Sequence, residues 1–295
     1  MASTRAIITR MKAWLLASRP KTLPAAIVPV WAGCLYAHYR TGAFDLRLAI
    51  LTLLGAVFIQ IATNFFNDVI DSEKGTDTEA RLGPQRMTAS GVLSPKVVYR
   101  AALLMLAVAS LVGALLFLER GWWIIAIGLP SLYLSYGYTG GPFPLAYRGM
   151  GEIFVILFFG LIAVGGTVFV QTGEWIQGAF LLGLQIGLLS AVLIAINNFR
   201  DLEEDRAAEK NTIVVRFGRP AVRWLILIMT IAPALLVLGH SVPAWAPIAL
   251  GLGTIFTIVN FLGLRNTAPP GALLGLAALH LILFVTMQHF VMTLT

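Results

Sequence analysis

Ten of the chain's 14 acidic residues fall in two short segments, Asp68 to Glu79 and Asp201 to Glu209. Written out, they are N64-F-F-N-D-V-I-D-S-E-K-G-T-D77 and N197-N-F-R-D-L-E-E-D205. Positions three and four apart share a helix face, so Asn64, Asp68 and Asp71 make one row of oxygen donors, and Asn197, Asp201 and Asp205 make another. Hard Mg²⁺ takes carboxylate and amide oxygens, with one or two carboxylates per ion and the remaining positions filled by water and substrate phosphates. Two facing rows of this kind would hold Mg²⁺ around a diphosphate. Ordinary solvated loops between helices are the competing reading of either segment alone; two matched segments, each beginning where an apolar stretch ends, favour the site.

The residues beside the rows suit the same ligand. Arg81 and Arg86, in a loop shaped by Gly83, Pro84 and Gly91, can donate to phosphate oxygens in a fork geometry, and Lys74 and Lys210 follow their motifs comparably. Each of these four cations also fits a simple topology signal. A third polar segment, Y133-L-S-Y-G-Y-T-G-G-P-F-P-L-A-Y-R148, contains Tyr138, Tyr147 and Arg148; its rings can face a planar acceptor or a developing carbocation, or form an interfacial aromatic belt. His38, His240, His280 and His289 have no ligand spacing.

The elements that must position these residues are membrane helices. Of 295 residues, 58% are hydrophobic and 12% charged, with a mean hydropathy of +0.83. This composition excludes a soluble globular domain, and one cysteine excludes a disulfide scaffold. The pI near 9.9 is not that of a DNA-binding domain, because the charge follows topology. Apolar runs predict an all-α polytopic protein of nine transmembrane helices, at about residues 22–40, 46–66, 97–118, 121–138, 150–171, 175–198, 221–240, 243–263 and 271–293. The motif segments 67–96 and 199–220 would then cap one end of the bundle. Placing the amino terminus in the cytoplasm puts 18 of the 21 Lys and Arg residues on that side, together with both Asp motifs, and the carboxyl terminus outside. Ala32, Gly33 and Cys34 imitate a lipoprotein cleavage site, but Trp31 is too bulky for it, and Cys34 reads as a small packed residue.

Aligning Asn67 and Asp71 with Asn197 and Asp201 gives one offset of 130 residues, the mark of an internal repeat that would bring the two motifs face to face. The N67-D-V-I-D71 motif with G75-T-D77, paired with N197-N-F-R-D-L-E-E-D205, resembles the Asp-rich motifs of the UbiA superfamily of intramembrane aromatic prenyltransferases. The R81-L-G-P-Q-R86 loop and the Y138-T-G-G-P-F-P144 and G149-M-G-E-I153 segments are similar to its 1,4-dihydroxy-2-naphthoate polyprenyltransferase branch. The resemblance covers nearly the whole chain.

It implies a single integral-membrane domain over residues 1–295, with a central cavity opening to lipid. The implied reaction is Mg²⁺-dependent transfer of a prenyl chain from a prenyl diphosphate to dihydroxynaphthoate, with loss of CO₂ and diphosphate. It further implies that Asp68, Asp71, Asp201 and Asp205 hold Mg²⁺ and diphosphate, assisted by Asn64, Asn67 and Asn197. Gly75 stands where the superfamily's first motif often has a further Asp, which leaves Asp77 a weaker candidate. Arg148 is the only cation in the Tyr138–Arg148 segment, where some relatives have a Lys. Homogentisate or 4-hydroxybenzoate is the alternative acceptor, and a secondary transporter the alternative class. The expected partners are the two substrates and membrane lipid, with no nucleic acid.

Overall fold

The computed structural model describes residues 11–75, 86–237, 245–263 and 270–294, and among them it is helical, without strands. The main helices are α1 (Pro24–Thr41), α2 (Leu46–Glu73), α3 (Pro95–Arg120), α4 (Trp122–Gly137), α5 (Gly151–Thr172) and α6 (Gln177–Arg200). A short α7 (Leu202–Ala207) follows, and then α8 (Ile213–Val237), α9 (Trp245–Gly263) and α10 (Pro270–Leu294). The all-α membrane class is as the composition predicts. The span count is not: among the described residues, six helices (α2, α3, α5, α6, α8 and α10) are long and apolar enough to cross a bilayer. α4 has 16 residues and α1 has 18, lengths of about 24 and 27 Å against a hydrocarbon thickness of about 30 Å. The other three expected stretches hold α1, α4 and α9, helices that fall short of the others in length or in apolar content among the described residues.

α2 deviates in the other direction. Its 28 residues extend about 42 Å, so its last turns project past the hydrocarbon and carry Asn67, Asp68 and Asp71 as helix rather than as a separate cap segment. It starts at Asp45, whose carboxylate accepts from the Leu48 amide at 3.1 Å, satisfying one orphan donor of the first turn. Gln171 ties that start to the far end of α5, accepting from the Asp45 amide and donating to its carbonyl. Arg120 donates to the carbonyls of Val170 and Gln171, a cation satisfying the exposed carbonyl end of α5. α8 breaks at Gly218, with φ 76° and ψ 167°; the span proper restarts at Pro220, near the residue 221 expected from sequence.

α6 is the central helix, buried among α1, α5, α8 and α10. Val164, Val168, Ile186, Leu189, Val192, Val222 and Leu281 belong to the largest core. Its Gly183 and Gly187 sit against Gly160 of α5, closely enough that a Cβ on Gly160 would lie 2.7 Å from the Gly187 Cα. At this crossing α5 widens into a π-helical stretch, Ile156–Ile162. Such a stretch turns extra side chains to one face, and here Phe158, Phe159 and Ile162 face a cavity.

Candidate active site

The cavity has a volume of about 430 Å³ and lies among α1 to α5. Its wall takes no residue from α6 or from α8 to α10 among the described residues. Its wall is almost wholly apolar, with Ile59, Leu116, Ile124, Phe154, Phe158 and Val170 among its members. Leu129, also in the wall, is 61% exposed, so the cavity opens toward the lipid side. Along α2 the lining runs from Thr52 to Thr63, about 16 Å of helix, and the next residues of α2 are the first Asp motif.

At that end the motifs meet on Asp71. Its carboxylate accepts from Lys210 at 3.0 Å, from the Tyr147 hydroxyl at 3.1 Å and from Arg86 at 3.4 Å. Lys210 belongs to the second motif segment, so this one carboxylate joins the two halves, as the 130-residue offset predicts. Tyr147 also lies beneath two ammonium groups, with Lys74 Nζ 3.9 Å and Lys210 Nζ 4.9 Å from its ring centroid, where the ring quadrupole holds cations that lack full hydration. Lys74 donates to the Thr139 carbonyl at 3.0 Å. Its charged form is disfavoured by burial, with Asp71 opposing and Lys210 adding to the effect. The result is an apolar chamber whose polar end presents Lys74, Lys210 and Arg86 around a carboxylate, a setting for a multiply charged anion.

The other carboxylates are arranged differently. Asp68 is 1% exposed; its Oδ1 and backbone carbonyl accept from the Thr88 hydroxyl, while its Oδ2 is buried with no hydrogen-bond partner. Asp201, at the break between α6 and α7, is clasped by Arg200 through both carboxylate oxygens. The row nonetheless persists: the Asp201 amide donates to Asn197 and the Asp205 amide to Asp201. Asp205 accepts from Thr212 at 3.4 Å. Burial first, then the neighbouring charges of Asp201 and Asp71, push its carboxyl up to about 7 against the pull of Lys210.

Three sequence candidates have other work. Asn64 donates to the Ser18 carbonyl at 2.8 Å and to Thr22 at 3.1 Å, pinning the segment before α1. Asn67 accepts from the Thr139 hydroxyl, fastening the tyrosine-rich loop to α2. Arg148 is exposed, with its guanidinium 3.7 Å from the Phe143 ring centroid. Tyr138 lines the cavity and Asn197 is half-buried beside Asp201. Arg81 lies outside the described residues, as does Asp77. Thr88, Thr139, Arg200 and Glu152 join the site's surroundings without having been singled out. For Arg200 a signal existed, since it directly precedes Asp201; the threonines have no periodic or charge signature.

Among the described residues, no three Asp, Glu, His or Cys side chains converge as a closed metal cage. The donor set still fits Mg²⁺, which needs only one or two carboxylates when phosphates and water complete its shell. The unpartnered Asp68 Oδ2 supplies an open ligand position.

A polytopic helical protein holding an apolar chamber that ends in paired carboxylate motifs and cations belongs to the class of intramembrane enzymes acting on long apolar diphosphates. The UbiA prenyltransferase family model matches residues 26–273, and the chain is a member of that family. It is 35% identical over 225 residues to the 1,4-dihydroxy-2-naphthoate octaprenyltransferase of Haemophilus influenzae, covering 74% of this chain and 73% of that one. It is 38% identical over 214 residues to the enzyme of the same name from Mycobacterium tuberculosis, covering 72% of each. Among solved structures, a UbiA homolog from Archaeoglobus fulgidus bound to DMAPP and Mg²⁺ has the same fold, with a TM-score of 0.64 at 16% identity over 96% of this chain and 99% of that one.

Proposed function

We propose that the chain is an aromatic prenyltransferase that transfers a prenyl group from a prenyl diphosphate to 1,4-dihydroxy-2-naphthoate. Diphosphate and CO₂ leave, and a demethylmenaquinol-type product forms for menaquinone or phylloquinone biosynthesis. The observation that carries this reading is the continuity of the apolar cavity with the polar node at Asp71, which suits a molecule with a long hydrocarbon tail and a diphosphate head. The names of its relatives supply the acceptor. The 18-to-3 distribution of basic residues supports an amino terminus and Asp motifs in the cytoplasm, where water-soluble diphosphate is released.

Asp68, Asp71, Asp201 and Asp205 are the residues that would hold Mg²⁺, with Asn197 alongside. The ion, when bound, supplies positive charge to the leaving diphosphate. Lys74, Lys210 and Arg86 would bind the phosphate oxygens, with Arg81 a further donor on its sequence position alone, and the donors gain strength where water is excluded. Tyr147 orients Lys74 and Lys210 through its ring, and Asp71 through its hydroxyl. Phe154 and Phe158, stacked with centroids 5.9 Å apart, wall the chamber, while Tyr138 stands between its apolar part and the carboxylates. These rings shelter the electron-poor prenyl carbon from water.

A product assay on purified protein tests the assignment. With a prenyl diphosphate and Mg²⁺, dihydroxynaphthoate gives a prenylated naphthoquinol lacking the carboxylate; EDTA abolishes it and added Mg²⁺ restores it. Turnover of homogentisate or 4-hydroxybenzoate instead would displace the acceptor, and EDTA-resistant turnover would remove the metal.

Asp205 adds a pH signature. With its carboxyl raised to about 7, the side chain is mostly neutral at pH 6 and mostly ionised at pH 8, and a metal ligand must be ionised. Apparent Mg²⁺ affinity should therefore rise about tenfold between pH 6 and pH 8, read from Mg²⁺ titrations of activity. Asp205→Asn should flatten that slope; an equal slope in the variant would place the titration elsewhere.

A further inference from the structure

Glu152 is one of only four acidic residues outside the two motif segments, and it is the one that is buried. It sits in the first turn of α5 at 3% exposure. Its Oε1 accepts from Asn198 Nδ2 at 2.9 Å, while its Oε2 is buried with no hydrogen-bond partner. Among the described residues no cation lies within ion-pair distance of it, in contrast to Asp71 and Asp201. A carboxylate left this way inside a membrane protein is costly, and native structures keep such groups where a ligand completes them.

Its position points to which ligand. Val155, three residues on and so on the same helix face as Glu152, lines the cavity, and so does Tyr138, whose hydroxyl lies against Gly151 next to Glu152. The Tyr138 hydroxyl is held protonated by burial and then by the carboxylates of Glu152, Asp205 and Asp71. Glu152 therefore adjoins the polar end of the chamber on its α5 side. The diphosphate of the donor carries negative charge and the prenyl chain has no hydrogen to donate, so neither satisfies Oε2. A ring hydroxyl of the acceptor does.

On the reading under Proposed function, we propose that Glu152, steadied by Asn198, is the catalytic residue that accepts the proton of the acceptor's ring hydroxyl. As the carboxyl-bearing ring carbon bonds to the first prenyl carbon, the carbon–oxygen bond to diphosphate breaks and diphosphate leaves with the electron pair. The hydroxyl O–H pair becomes the second bond of a ring carbonyl, and its proton passes to Oε2. Loss of CO₂ then returns its bonding pair to the ring, the carbonyl oxygen recovers the proton from Glu152, and the carboxylate is regenerated. No oxidant or reductant is required.

Glu152→Gln keeps the size and the contact with Asn198 but removes the base. The expected result is a fall in kcat of about 100-fold with dihydroxynaphthoate, an unchanged KM for the prenyl diphosphate, and partial recovery in Glu152→Asp. A kcat within threefold of the parent, or a loss that Glu152→Asp does not relieve and that raises the donor KM equally, overturns the proposal. If Glu152→Gln does not fold, Asn198→Ala leaves the carboxylate untethered: a lower kcat at constant donor KM supports the role, and an unchanged kcat refutes it. Should the unaltered protein use a different phenolic acceptor, the naphthoate assignment falls, and the same variants decide the role of Glu152 on that acceptor.

Discussion

Replacing Asp71 with asparagine should lower prenyl transfer by about a thousandfold, the scale lost when one preorganised charge-stabilising group is removed from a reaction centre. The substitution keeps the size of the side chain and one accepting oxygen for Tyr147. It removes the negative charge that Lys210 and Arg86 both contact. Those cations, both largely buried, then repel each other and Lys74, so the groups that receive the diphosphate lose their spacing as well as their metal-binding carboxylate. The measurement is kcat for a short-chain prenyl diphosphate at saturating Mg²⁺, with gel filtration in detergent as the check on folding. Glu203→Gln is the control, since Glu203 is exposed and pairs only with exposed Arg206 among the described residues; it should change activity by less than twofold. Activity of Asp71→Asn within tenfold of the parent would remove Asp71 from the headgroup site.

The second large effect concerns packing. Gly160→Ala should destabilise the protein by about 3 kcal/mol or more, at the upper end for overpacking, and lower its unfolding temperature in detergent by about 6 °C or more. The added methyl would meet the Gly183 carbonyl oxygen and lie 2.7 Å from the Gly187 Cα and 2.9 Å from its amide nitrogen. These are backbone atoms of the central helix, which no rotamer change can move. Relief requires α5 to separate from α6, and α5 carries both Glu152 and the π-helical stretch that walls the chamber, so activity should fall with stability. Gly113→Ala is the matched comparison: it is also a helical glycine, on α3, but a Cβ there meets nothing within 4 Å. It should be neutral or stabilising by up to about 1 kcal/mol. Equal unfolding temperatures for the two variants would contradict the close crossing.

The carboxylate rows were legible in the sequence because the 3.6-residue period is a local property. Asn64, Asp68 and Asp71 do share a helical stretch, and the Asn197, Asp201 and Asp205 amides do continue one hydrogen-bonded run. What the period does not encode is the neighbour each side chain meets. Asn64 turned out to hold the segment before α1, and Arg148 to lie over the Phe143 ring. Glu152 was marked only as one letter of the G149-M-G-E-I153 segment, with nothing in its spacing to give it a role at the start of an apolar run. The helices that wall the cavity, α1 to α5, are likewise not encoded in any one period, and the close approach of α5 to α6 rests on Gly160, Gly183 and Gly187.

Composition and hydropathy were sufficient for the membrane class, since lipid forces a spanning backbone to satisfy its own hydrogen bonds as helix. Charge clustering and motif spacing were sufficient to mark the two Asp segments and their nature as oxygen-rich ligand rows. The choice of Asp71 as the residue where both halves meet, the set of helices that wall the chamber and the burial of Glu152 arise from helix-to-helix contact. Such contacts depend on small residues at crossings and on loops hundreds of atoms apart along the chain, and a periodic pattern within one helix carries no information about the face of the next.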